Sequence, residues 1–313
     1  MSRLLFSLWL ILGPISLGYA ARRLGWLAES HARQIIRWTI LCFAPVTSTL
    51  SFWVLPIHQV AYLTLPVVGA GVTLACLWPA WLAGRWLRMS REQLGSFLLC
   101  AMFSNLGYIG SVVCFLFLGE AAYSLSLLYL LSFSPCLYTV GFSIGRRCGT
   151  VGREPGRRGG GFDEYQRYPL MGMALGFILN LLGVARPAWC GQLNTVLIPW
   201  STAFYLVAVG VTLRLRRVPA NWRPALVMSG IKFLYSPLVG LALGWLAGYG
   251  RLLGGLPLAV VWVVASTPVA ISALIWSPLF GLDQDLANSL WLVTTAVFLA
   301  WLPVVVWGLH VVK

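Results

Sequence analysis

Three groups of residues in this 313-residue chain are placed to do chemistry. Asn105, Gly107 and Gly110 form Asn-x-Gly-x-x-Gly inside an apolar stretch, and Thr267-Pro268 followed by Ser272 interrupts a second such stretch. Lys232 lies in a third, the only ionisable side chain well inside an apolar run. An amide that both donates and accepts, two hydroxyls, and glycines that admit close backbone approach are the means of binding a carboxylate, not of breaking a bond. The chain has no His-Glu-x-x-His, no paired Asp in mid-run and no Ser-His constellation, so an enzyme is not expected, and neither a metal nor a cofactor is implied. Each group also has a structural reading. The glycines allow close helix packing, Pro268 makes a kink, Asn105 bonds a neighbouring helix, and Lys232 snorkels to the headgroups.

The elements that hold these residues are membrane spans. Hydrophobic residues make up 59% of the chain and charged ones 10%, with a mean hydropathy of +0.83. A soluble domain carries about a quarter charged residues. Windows of about 20 apolar residues give ten spans, at 4–21, 35–53, 60–84, 94–118, 121–145, 168–184, 191–213, 225–247, 256–280 and 286–309. The expected class is therefore an all-α polytopic membrane protein. The net charge of +14 would suggest nucleic acid in a soluble protein. Here 17 of the 22 Lys and Arg residues follow spans one, three, five and seven. That split predicts both termini outside and the central loop cytoplasmic, which removes nucleic acid as a partner and leaves the lipid bilayer.

Residues 146–167, rich in Gly and Arg, read as a cytoplasmic linker between a five-span half at 1–145 and another at 168–313. Five spans in each half predict an inverted repeat, a common transporter plan. Pro45 to Thr49 in span two matches Pro199 to Ala203 in span seven, and the breaks in spans four and nine fall at corresponding positions. Backbone opened at mid-membrane survives only when buried in protein or lining a wet cavity. Half-helix N-termini exposed there suit an anion.

At these residues the chain resembles the auxin efflux carrier (PIN-like) family, within the bile-acid, arsenite and riboflavin type of transporter superfamily. The resemblance rests on Gly18-Tyr19 through Leu27, on Asn105-x-Gly107-x-x-Gly110 with Phe117-x-Gly119-Glu120, on Lys232 before Ser236-Pro237, on Pro268-x-x-x-Ser272 and on Pro303. The chain departs from the family pattern at Val112, where proline is usual, and at Ser272, where asparagine is common. The resemblance implies that spans four and nine cross at their breaks. It implies further that spans one, two, six and seven form a scaffold, often a homodimer, against which the rest move as an elevator. Thr47, Ser48 and Ser201 are scaffold-side candidates.

The resemblance implies a small organic anion as substrate, and the residues agree. All eight acids (Glu29, Glu92, Glu120, Glu154, Asp163, Glu164, Asp283 and Asp285) fall in loops or at span ends, as do His31, His58 and His310. Intramembrane proton relays use Asp, Glu or His, so the expectation is uniport of a mono- or dicarboxylate across a bacterial inner membrane. A sodium- or proton-coupled symporter of the bile-acid type and a non-transporting sensor are the alternatives. Seven cysteines without a Cys-x-x-Cys read as packing, and the 16 tryptophans as interfacial belts rather than a ligand cage.

Overall fold

The computed structural model describes residues 2–55, 60–150, 162–213 and 215–312, so residues 151–161, half of the 146–167 linker, lie outside the described residues. Among the described residues the chain is helical and the only pairing of strand type is one antiparallel bridge, Ser104 with Val269. Seven helices are long and apolar enough to cross a membrane. They are α1 (Leu5–Arg23 within Ser2–Arg23), α2 (Glu29–Phe52), α3 (Tyr62–Trp86), α6 (Glu120–Cys148), α8 (Ala188–Thr212), α9 (Val218–Leu246) and α12 (Gln284–Val311). The windows 94–118 and 256–280 do not form single helices. The first is α4 (Arg91–Met102) and α5 (Ser111–Leu118), joined through a wide turn at Leu106–Gly110. The second is α10 (Leu256–Ala265) and α11 (Ala273–Phe280). The window at 168–184 lies in α7 (Phe162–Leu181), which ends at Gly183 with φ +65°.

The molecule divides into two compact units. One holds the described residues of 1–60, 111–127 and 158–213, and therefore α1, α2, α5, α7 and α8. Its two most extensive helix pairings are α1 with α8 and α2 with α7. Glycine makes both contacts possible. A Cβ on Gly18 would fall on the Val207 carbonyl and one on Gly210 on the Ile15 carbonyl, while Gly172 and Gly176 meet the Pro45 and Thr49 carbonyls in the same way. In lipid, where no hydrophobic effect drives helices together, such backbone approach supplies the dispersion contacts that do. Thr49 Oγ donates across the second pairing to the Gly172 carbonyl at 3.0 Å. Arg22, which the sequence reading treats only as a topological charge, donates to the last carbonyls of α8, Val211 at 2.9 Å and Leu213 at 3.1 Å.

The second unit holds the described residues of 61–110, 128–157 and 214–313, hence α3, α4, most of α6 and α9 to α12. Ser90 opens α4 with a capping box, accepting from the Gln93 amide while Gln93 Oε1 accepts from the Ser90 amide. The Ser90 hydroxyl also donates to Glu92. That bond and one from the Glu92 backbone amide hold the exposed Glu92 carboxyl below its usual range, the backbone contribution being the larger. A lowered acid stabilises above its unfolded value and loses that contribution as pH falls through the folded one, so this cap is complete at neutral pH.

The surface is as apolar as a bilayer requires. Trp9, Trp26, Trp78, Trp86, Trp189, Trp245 and Trp307 face outward, whereas Trp276 is buried against Phe103 and Phe133 with ring centroids 4.9 and 5.8 Å away. All seven cysteines are free thiols, five of them buried.

Candidate functional site

α4 and α10 stop at the same place, and each break follows from the backbone bonds that are diverted there. In an unbroken helix the Asn105 amide would donate to the Ala101 carbonyl. It donates instead to the Pro268 carbonyl at 2.8 Å, and the Ala270 amide donates back to the Phe103 carbonyl at 2.9 Å. Phe103 is extended, with φ −102° and ψ 125°. Likewise the Val269 amide, which would have served the Ala265 carbonyl, donates to Thr294 Oγ on α12 at 3.2 Å. Pro268 has no amide hydrogen, so the Val264 carbonyl accepts from the Thr267 hydroxyl at 2.7 Å.

Two carbonyls are thereby orphaned, and span eight of the sequence takes both. Lys232 Nζ donates to the Ala101 carbonyl at 2.7 Å and to Ser104 Oγ at 2.8 Å. The Ser236 hydroxyl donates to the Ala265 carbonyl at 2.8 Å. The two side chains are four residues apart on α9, one turn. Lys232 lies within a wide π-type turn at Ile231–Tyr235 and Ser236 directly follows it, a feature common at functional sites. Lys232 is fully buried and does not snorkel. Among the described residues both ion pairs lie elsewhere, so its charge is met by a carbonyl, a hydroxyl and the negative end of α4.

The structure brings Asn105, Gly107, Gly110, Thr267, Pro268, Ser272 and Lys232 into one unit around this crossing. Asn105 is 5% exposed, and its side-chain Nδ2 has no hydrogen-bond partner. Buried polar atoms nearly always have one, which makes this amide a donor awaiting an acceptor. Gly107 and Ser272 are half-buried and mark the open side of the crossing. A cavity of about 10 Å³, lined among others by Thr73, Cys76, Ser104 and Ser236, adjoins it. It has room for about one water. A larger cavity, about 750 Å³, lies by Trp86, Arg88, Trp222 and Arg223 at loop ends of the same unit. Arg223 there stacks over the Trp222 ring at 5.3 Å.

The two glycines are not equivalent. A Cβ at Gly110 would stand 3.1 Å from Thr267 Cγ2 and 3.4 Å from Val264 Cγ1, whereas at Gly107 the nearest atom is Leu130 Cδ2 at 3.5 Å. Gly110→Ala is expected to push Thr267 out of the crossing and cost about 1–3 kcal/mol. Gly107→Ala is expected to be neutral within about 0.5 kcal/mol. Melting curves of the two variants check this; equal melting points would separate Gly110 from the crossing.

Thr47, Ser48 and Ser201 lie in the other unit, where the Thr47 and Ser201 hydroxyls bond carbonyls of their own helices. Sequence reasoning missed Ser104, Thr294 and the capping role of Ser236. It also missed a partly buried network in the first unit built on Glu120, Arg186 and Asn194. Only the Lys232-to-Ser236 spacing hinted at the caps.

No protein-family model matches the chain. It is 25% identical over 313 residues, 96% of each chain, to an uncharacterized transporter of Methanocaldococcus jannaschii. Over 299 residues, 94% of each chain, it is 24% identical to an uncharacterized transporter of Methanothermobacter thermautotrophicus.

Proposed function

We propose that this chain is an integral membrane transporter, and specifically a permease that moves a small organic anion, a mono- or dicarboxylate, by uniport. The observation that carries the reading is the crossing itself: a buried Lys232 with no carboxylate partner and an unpaired Asn105 donor lie where two helices break. An anion is the complement of both. Asn105, Thr267 and Ser272 supply polar contacts, Gly107, Gly110 and Pro268 let backbone approach, and Lys232 supplies field through Ser104 rather than direct contact, its ammonium being engaged. The space beside the crossing holds about one water, so binding of an organic anion requires the open side to widen. The larger cavity is the lesser candidate because no buried polar group is aimed into it. Near full-length similarity to two proteins named transporters supports the general reading.

The ten-span, five-plus-five inverted repeat of an auxin-efflux-type carrier remains our reading of the architecture. The pairings α1 with α8 and α2 with α7 support it, because a repeat that equates spans one and two with six and seven exchanges them. An elevator cycle is supported by the division into units, since one unit contains the crossing residues up to Gly110 and from Thr267 on, and the other contains spans one, two, six and seven together with α5, the second half of span four. We place the protein in a bacterial inner membrane with both termini outside and the central loop cytoplasmic, and assign homodimer contacts to the scaffold helices. Thr47, Ser48 and Ser201 remain the scaffold-side candidates.

With no unpaired carboxylate at the crossing to relay protons, the driving force is the anion's gradient and the membrane potential. The potential contributes about 2.3 kcal/mol per charge per 100 mV and, negative inside, favours efflux. Purified protein screened by thermal shift against short mono- and dicarboxylates and indole acids should show stabilisation by one class. Proteoliposomes loaded with that acid should then show counterflow and a rate that follows an imposed potassium-diffusion voltage. Binding without counterflow would make the protein a sensor, and a rate indifferent to voltage but dependent on sodium or proton gradients would make it a symporter.

A further inference from the structure

We propose that Lys232 is the permanent occupant of a monovalent-cation site, its ammonium standing where a free sodium, potassium or ammonium ion would otherwise bind. The ligands are those such an ion takes, a backbone carbonyl at 2.7 Å and a hydroxyl at 2.8 Å, with no carboxylate in either. The carbonyl is available because the break in α4 sends the Asn105 amide to Pro268. A positive charge is called for because α4 ends here, presenting the negative end of its dipole in a place sealed from water. One turn further along α9, the equivalent carbonyl of α10 is served by the neutral Ser236, so the two breaks share one cation between them. The cavity beside Ser104, lined also by Thr73, Cys76 and Ser236, offers hydroxyls and room for about one water, which would complete the shell of a free ion. Cys76 and Cys100 are the titratable groups that face Lys232, and both are thiols.

A lysine suits this role where an arginine would not. Its ammonium is a compact point charge with three donors, whereas a guanidinium is a planar fork. The consequence is a crossing that is charge-complete without any ion from solution, which is why the carrier needs no coupling ion. That consequence rests on the carrier reading; the cation site itself does not.

The test is the melting temperature in detergent, followed by tryptophan fluorescence, in sodium, potassium, ammonium and choline chloride at equal ionic strength. Wild type should melt at one temperature in all four and bind no tracer sodium. Lys232→Ser, which vacates the site and leaves a hydroxyl, should melt lower in choline and gain about 5 °C, saturably, in at least one of the other three. Lys232→Met, which fills the space without charge, should show no such gain. If Lys232→Ser can be purified in sodium, potassium or ammonium but not in choline, that rescue is the same result; recovery in none, or in choline alone, overturns the proposal. So does a folded Lys232→Ser that melts alike in all four, or saturable sodium binding to wild type. A salt-indifferent variant of a protein that still exchanges malonate removes the cation site and leaves the carrier. A salt-responsive variant of a protein that exchanges no carboxylate does the reverse.

Discussion

Asn105→Ala is expected to weaken carboxylate binding about tenfold to a hundredfold while leaving the melting temperature of the unliganded protein unchanged or slightly raised. The two effects have opposite signs because the Asn105 Nδ2 is buried and unpartnered. An unsatisfied buried donor costs about 1–3 kcal/mol, so its removal relieves the fold. A hydrogen bond to a charged acceptor is worth about 1.5–3 kcal/mol, the binding lost with it. The main chain at this position bonds Pro268 whatever the side chain, so the crossing persists. Asn105→Asp should be worse for binding, since it sets a carboxylate against an anion. A structural asparagine behaves otherwise: its loss lowers stability and leaves affinity alone. Thermal-shift titration of both variants with the wild-type ligand decides between them, and undiminished affinity in Asn105→Ala would take Asn105 out of the site.

How much of this is legible in the sequence depends on whether the determinant is local. The break near Asn105 is, because two glycines three apart weaken a helix against competing backbone partners; so is the break at Pro268, which lacks an amide hydrogen. Their meeting is not local. The bonds from Asn105 to Pro268 and from Ala270 to Phe103 join residues far apart in the chain, and nothing in either segment names the other. Lys232 shows the same limit. Its depth follows from counting residues, and depth alone allows either snorkelling or a buried partner. The π-type turn at Ile231–Tyr235 and the orphaned Ala101 carbonyl 131 residues away decide for burial. Seven of the ten windows coincide with unbroken helices long and apolar enough to cross a membrane, and span counting reads the interrupted windows as single spans, because hydropathy is blind to a diverted hydrogen bond. The pairing of Glu120 with Arg186 is invisible for a further reason: at a span end, a charge is read as topology.

That pair carries the largest expected loss of stability. Arg186 Nη1 and Nη2 clasp Glu120 at 2.7 and 2.9 Å, with side chains 10% and 22% exposed. Arg186 also donates to the Leu50 carbonyl at 2.7 Å, and Asn194 Nδ2 reaches both Glu120 at 2.6 Å and Ser51 Oγ at 2.9 Å. Three segments of the first unit, the end of α2, the start of α6, and the start of α8 with the turn before it, thus meet at one carboxylate. Gly191 leaves room for the guanidinium, since a Cβ there would stand 2.7 Å from Arg186 Nη2. Removing one partner of a buried pair strands the other, which costs about 3–5 kcal/mol when burial is complete. Residual exposure of Glu120 brings that nearer about 2–4 kcal/mol. Glu120→Ala is therefore expected to lower the melting temperature by about 5–10 °C. Glu120→Gln, which keeps an acceptor for Arg186, should lose less. Arg186→Met added to Glu120→Ala should restore part of the loss, because the stranded charge is then gone. A double variant that melts at the sum of the single losses would show the two residues acting independently, and the clasp would then contribute nothing beyond each side chain's own packing.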